Sequence, residues 1–186
     1  KSLARRESRA VSRPSRALPT LYTVEATQDG EREVTLRRAG DIQIVSALYR
    51  IPAAGDPQYP ALDVLAQIFG TAPTGRLHRA LVQKGLASSA WGHERMLHDP
   101  GYASFGATLA KDATLAPARD ALIGALEGAG REPITDAEVE RARTSLLNDM
   151  EKAQLDSALL LRYLPEFASM GDWRLFYLYR DRVRKV

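Results

Sequence analysis

GRLHRALVQKGLASSAWGHERMLHDPGYASFGATLAK, residues 75–111, decides how this chain is read. Thr74 stands where a hydroxyl caps a first helical turn, and Leu77 and Leu81 repeat along one stripe. Gly85 supplies the residue that most readily ends a helix. Two runs of strand composition follow, 88–97 and 102–110, separated by Asp99, Pro100 and Gly101. Proline followed by glycine suits the central positions of a type II turn, so the two runs are expected to fold back as a hairpin.

Upstream, residues 33–38 alternate Val34 and Leu36 with Thr35 and Arg37, the pattern of a half-buried strand. Residues 42–51 are apolar at both parities (Ile42, Ile44 and Leu48; Val45, Ala47 and Tyr49), which predicts a strand central in its sheet. Asp56 and Pro57 open a helix with a Leu62, Leu65 and Phe69 stripe that Gly70 ends, although Pro60 leaves its first turn open. Downstream of the hairpin, residues 115–126 read as a helix carrying Ala118, Leu122 and Ala125, closed by Gly128 and Gly130. Thr135 and Glu138 have the spacing of a capping box, in which each residue satisfies an orphan N–H of the other. The helix it opens carries Val139, Ala142, Leu146, Met150 and Ala153, and is expected to run to about Ser169 with a kink at Pro165. Past Gly171, Asp172 is expected to cap a last helix with Phe176, Tyr179 and Val183.

These elements do not alternate as a doubly wound fold requires. They predict an α+β fold, a mainly antiparallel or mixed sheet with helices packed on one face. With 186 residues, 45% of them hydrophobic, there is enough chain for one full core. No apolar run approaches the roughly 18 residues of a membrane helix, since even the leucines at 159–161 are followed by Arg162. The absence of cysteine removes disulfides, thiolate metal sites and cysteine nucleophiles. The net charge of +3 is concentrated in residues 1–20, where Lys1 and five arginines face only Glu7; the remainder is slightly acidic and unlike a nucleic-acid surface. Residues 1–20, with Pro14 and Pro19, read as an Arg-rich linker or arm, and 21–186 as a single domain. A chain that opens on Lys1 is expected to be a piece of a longer protein.

His93-Glu94-Arg95-Met96-Leu97-His98 imitates a zinc motif but has the wrong period. Five residues apart, two imidazoles point roughly 140° apart on a helix and to opposite faces of a strand. His78 has no second ligand at metal spacing. Gly70 to Arg76 imitates a phosphate loop, with arginine in place of lysine and no following hydroxyl. Ser88 and Ser89 lack the glycines of a nucleophile elbow. No carboxylate pair stands out as an acid/base couple. The expectation is therefore that no catalytic, cofactor-binding or metal-ligating residue lies in this chain.

The phrases GEREVTLRRAG (30–40), GRLHRALVQKGLASSA (75–90) and TDAEVERARTSLLNDME (135–151) together resemble the pitrilysin/insulinase zinc metallopeptidases, a family that includes the mitochondrial processing peptidases. The likeness runs from about Pro14 to the end and is to the family's second, non-catalytic domain, which repeats the catalytic fold without its zinc site. Catalytic domains of the family carry HxxEH, and this sequence has none. Another domain of family enzymes clamps substrate with an arginine and a tyrosine in a phrase like LREKQGLAY. Aligned on Gly85, Leu86 and Ala87, that phrase places Leu81 at the arginine and Ser88 at the tyrosine.

The resemblance implies a non-catalytic domain of a zinc metalloendopeptidase that walls a peptide-enclosing chamber, with zinc held in the parent's catalytic domain. Its implied partners are an upstream HxxEH domain, the other half of the parent and a peptide substrate, with no nucleic acid and no membrane span. The alternative is a catalytically dead structural subunit of the same fold, as in respiratory-complex core proteins. A periplasmic or other non-cytoplasmic place is favoured over the cytoplasm. The family's domain continues with a further helix and strand, so this one is expected to be truncated at its C-terminus, with reduced cover around Trp173, Phe176 and Tyr179.

Overall fold

A computed structural model describes residues 28–186 and divides the chain into two units, Lys1–Arg38 and Ala39–Val186. The arm proposed at 1–20 lies outside the described residues. In the first unit, residues 28–38 carry no helix or strand, and Val34 and Leu36 are 79% and 76% exposed. The strand expected at 33–38 is thus not formed. Alternation makes a strand only where a ladder partner and a face to bury are present.

The second unit is built on three antiparallel strands, β1 (Ile42–Ile51), β2 (Ser89–Arg95) and β3 (Gly101–Ala110), in the order β1-β3-β2. The hairpin forms, with β2 paired to β3, Trp91 opposite Gly106 and Glu94 opposite Ala103, but not through a type II turn: Gly101 is the first residue of β3 and does not take the left-handed conformation that turn requires. β1 is not central. It lies at the sheet edge, paired only to β3 among the described strands. Its second apolar set, Ile42, Ile44 and Leu48, is about 60% exposed, on the face that no helix covers among the described residues. Apolar residues at both parities predicted two covered faces, and the described residues cover one. The alternate set of β3, Ala103, Phe105, Ala107 and Leu109, is buried and faces the helices.

Among the described residues the strands are joined and followed by five α-helices and a π-helical turn: α1 (Tyr59–Gly70), the π turn (His78–Val82), α2 (Leu115–Glu127), α3 (Asp136–Leu155), α4 (Ser157–Ser169) and α5 (Leu175–Val183). Asp56 does not cap α1. Its carboxylate accepts from the Gln58 N–H at 2.8 Å, and the helix starts at Tyr59 with Pro60 in its first turn, where a missing N–H is harmless. α1 is enclosed on several sides, burying Tyr59, Asp63, Val64, Ala66, Ile68 and Phe69 between the sheet and the long helix α3. Gly85 ends the π turn with φ +70°, as its helix-ending role requires.

α3 begins with the expected capping box: Thr135 Oγ1 accepts from the Glu138 N–H at 3.3 Å and Glu138 Oε2 accepts from the Thr135 N–H at 3.0 Å. The long helix does not continue to Ser169. It stops at Leu155, and Asp156 accepts from the Ala158 and Leu159 N–H groups to start α4 afresh. Pro165 lies inside α4, and the break precedes it because an aspartate cap competes well with helical propagation. Asp172, like Asp56, does not cap the helix expected of it, α5: it accepts from the Arg174 N–H at 2.8 Å, and Arg174, with no side-chain cap bond, holds the N-cap position. The cover expected to be thin at this end is complete for Phe176 and Tyr179, at 0% and 8% exposure; Trp173 alone of the three stands out, at 50%.

α1 and β2 meet backbone to backbone. A Cβ on Gly70 would lie 2.4 Å from the Gly92 nitrogen, a distance that neither main chain can absorb. Gly70→Ala is therefore expected to push the helix off the sheet and destabilise the chain by about 1–3 kcal/mol. Urea denaturation checks this, and an unchanged midpoint would contradict the close approach.

Candidate functional site

The residues singled out in the sequence scatter. His93 lies in β2 on the open face of the sheet, its ring stacked at 5.3 Å on Trp91. His98 lies beyond the strand and bonds Asp99 at 3.1 Å, with its side chain 67% exposed. Glu94, between them in sequence, points to the opposite, helix-covered face. A shared metal is not in reach of that arrangement. Among the described residues no group of three or more His, Asp or Glu side chains is placed to hold a metal ion.

Leu81 and Ser88 also part company. Leu81 is fully buried in the core, whereas the Ser88 hydroxyl is at the surface and donates to the Thr108 carbonyl at 2.8 Å. Arg76, which stands in place of the lysine in the phosphate-loop look-alike, is engaged within the protein. It donates to Glu138 through Nε (3.0 Å) and Nη2 (2.8 Å), and to the carbonyls of Glu132 (2.8 Å) and Pro133 (2.9 Å). Arg79 adds a third contact to the same carboxylate at 2.9 Å. With Thr135 also donating to it, Glu138 is held down to a pKa of about 2, chiefly by its bonds to Arg76. This cluster ties the loop after α1 to the start of α3 and engages four of the guanidinium's five N–H donors within the protein.

No carboxylate pair stood out in the sequence as an acid/base couple, and the structure brings one together. Asp63 of α1 and Glu94 of β2 lie within hydrogen-bonding reach of each other beneath α5. Asp63 is 6% exposed. The Tyr179 hydroxyl donates to Asp63 Oδ2, and the Tyr59 hydroxyl donates to Glu94 Oε1 at 3.3 Å. Burial pushes the Asp63 carboxyl up to about 7, with the Glu94 charge adding to it, and burial also raises Glu94. Both phenols are pushed well above their ordinary value by the same desolvation. One signal was available in the sequence: Asp63 interrupts an otherwise apolar helix face.

A carboxyl couple of this kind performs acid/base chemistry only where substrate reaches it. The neighbouring cavity, lined by Ala54, Phe167, Tyr179 and Arg182, has a volume of about 10 Å³, no more than a single water. The larger hollow, about 370 Å³, is a shallow depression at Gly171, Asp172 and Trp173, where Arg174 already neutralises Asp172.

An α+β layer of this kind has relatives of known family. The family model of the Peptidase M16 inactive domain matches residues 1–146, and the chain belongs to that family. It is similar to the inactive peptidase domain of a candidate zinc protease from Bordetella parapertussis, at 42% identity and a TM-score of 0.74, covering 82% of this chain and 84% of that one. It is 27% identical over 155 residues to the zinc protease PqqE of Helicobacter pylori, covering 80% of this chain and 35% of that protein. The chain thus spans about a third of that curated relative. A complex III₂ chain of Candida albicans shares the fold at 16% identity and a TM-score of 0.65, over 78% of this chain and 37% of its own length.

Proposed function

We propose that this chain is a non-catalytic domain of a zinc metalloendopeptidase, walling the space that encloses a peptide while the zinc site lies in another domain of the parent. The observation that carries this is the inactive-domain family match over residues 1–146. The scattering of His93 and His98 and the engagement of Arg76 support it, since no hydrolytic step falls to residues described here. The partners in this reading are an upstream HxxEH domain, the other half of the parent and the peptide. A protein that shares only the fold, such as the Candida complex III₂ chain, represents the structural-subunit alternative.

The test is made on the full-length parent protein, with zinc content and peptide cleavage as the two readouts. His93→Ala with His98→Ala is expected to leave both unchanged. Replacing the glutamate of an upstream HxxEH should abolish cleavage. A parent with neither the motif nor bound zinc would establish the structural-subunit reading, and loss of zinc in the histidine double variant would overturn the proposal outright.

A further inference from the structure

Asp63 and Glu94 come from different elements and meet where a third closes over them. α1 supplies Asp63 and Tyr59, β2 supplies Glu94, and α5 supplies Tyr179. Among the described ion pairs none includes either carboxyl. Two ionised carboxylates in contact repel, and with little water between them the repulsion is weakly screened. The two phenols each donate one hydrogen bond, and neither bond lies between the carboxyls. A proton between the carboxyls is what turns their contact into an attraction.

We propose that Asp63 and Glu94 hold one proton in common, and that this proton fastens β2 and α5 to α1, forming a pH-sensitive latch inside the domain. The charges around it come from the same three elements. β2 contributes Arg95, whose charge is felt at Tyr59. On α5, Arg180 turns to Asp181 and Gln154, and Arg182 turns to the Gly55 carbonyl. β3 presents Ala103 opposite Glu94, and α4 presents the Phe167 ring to Tyr179. Among the described residues no charge from α3 or α4 acts on either carboxyl.

The direction with pH follows from where the proton is bound. Asp63 has a folded pKa of about 7 against an ordinary 3.8, so between those values the folded chain keeps a proton that the unfolded chain has released. The stabilisation is complete below the unfolded value and is lost as pH rises through the folded one. The unfolding equilibrium constant should therefore rise by up to roughly tenfold per pH unit on approaching neutrality and level off above it. Asp63→Asn reproduces the protonated form permanently: its amide donates to Glu94 and its carbonyl accepts from Tyr179.

The experiment is urea denaturation of the 186-residue chain at pH 5, 6, 7 and 8, for wild type, Asp63→Asn and Glu94→Gln. The wild type should weaken towards pH 8, and both variants should lose that part of the slope. At pH 8 Asp63→Asn should be the more stable chain. Carbon-13 shifts of the Asp63 carboxyl supply a second readout that needs no variant, with a midpoint expected near 7. Amide hydrogen exchange in α5 should accelerate over the same range. A carboxyl midpoint near 4, or an unchanged pH slope in the amide variants, would overturn the latch.

Discussion

Phe176→Ala should cost about 3–5 kcal/mol, the largest effect expected of any single truncation in this chain. The ring is fully buried and touches three others, with centroids at 5.4 Å to Phe167, 6.1 Å to Tyr163 and 5.2 Å to Tyr177. These neighbours are themselves large and held by α4 and α5, so they cannot collapse into the space a phenyl group leaves. The residual cavity adds to the lost transfer energy. α5 docks by this ring, by Val183 and by Tyr179, so thermal unfolding of the variant should show a lower midpoint. Early loss of α5 protection in hydrogen exchange should accompany it. A loss under 1 kcal/mol would mean that α5 contributes little to the cooperative unit.

Arg76→Ala comes next, at about 3 kcal/mol. Arg76 and Glu138 are each about 10% exposed in their side chains, and removing the arginine leaves a covered carboxylate with only Arg79 and the Thr135 cap beside it. The figure is taken at the low end for a broken buried pair because one edge of the cluster reaches solvent. The pair also has an acid signature opposite to that of Asp63. Glu138 has a folded pKa lowered to about 2 from 4.5, so its contribution is present above the unfolded value and is lost as pH falls through the folded one. Wild type should lose stability on acidification below about pH 4.5, and Arg76→Ala should lose less of it over the same range. A variant with the wild-type acid profile would separate the salt bridge from stability.

What was legible in the sequence was local. The Thr135–Glu138 box, the Asp-Pro-Gly hairpin and the Gly85 stop each depend on residues within a few positions of one another, and all three formed. The break at Asp156 was hidden because the apolar stripe runs through it in register, so periodicity alone had nothing to detect. β1 was misplaced because a run apolar on both sides reports hydrophobicity at two faces and says nothing about which face receives a neighbour. The carboxyl couple was out of reach for a simpler reason. Its bonds join positions 35 residues apart (Tyr59 to Glu94) and 116 apart (Asp63 to Tyr179), and no spacing rule connects them.

Leu81 shows what separates this domain from a working substrate clamp. The residue at the clamp arginine's place in the resembling phrase is sealed in the core, on a π-helical turn held by the His78 carbonyl to the Gln83 N–H at 3.0 Å and the Leu81 carbonyl to the Leu86 N–H at 2.9 Å. An arginine introduced there would carry its charge into apolar packing, and a tyrosine at Ser88 would stand alone at the surface. Protein engineers who wish to convert this scaffold into a peptide-gripping one must therefore reroute the backbone of the turn first, because exchanging the two side chains would spend its effect on unfolding.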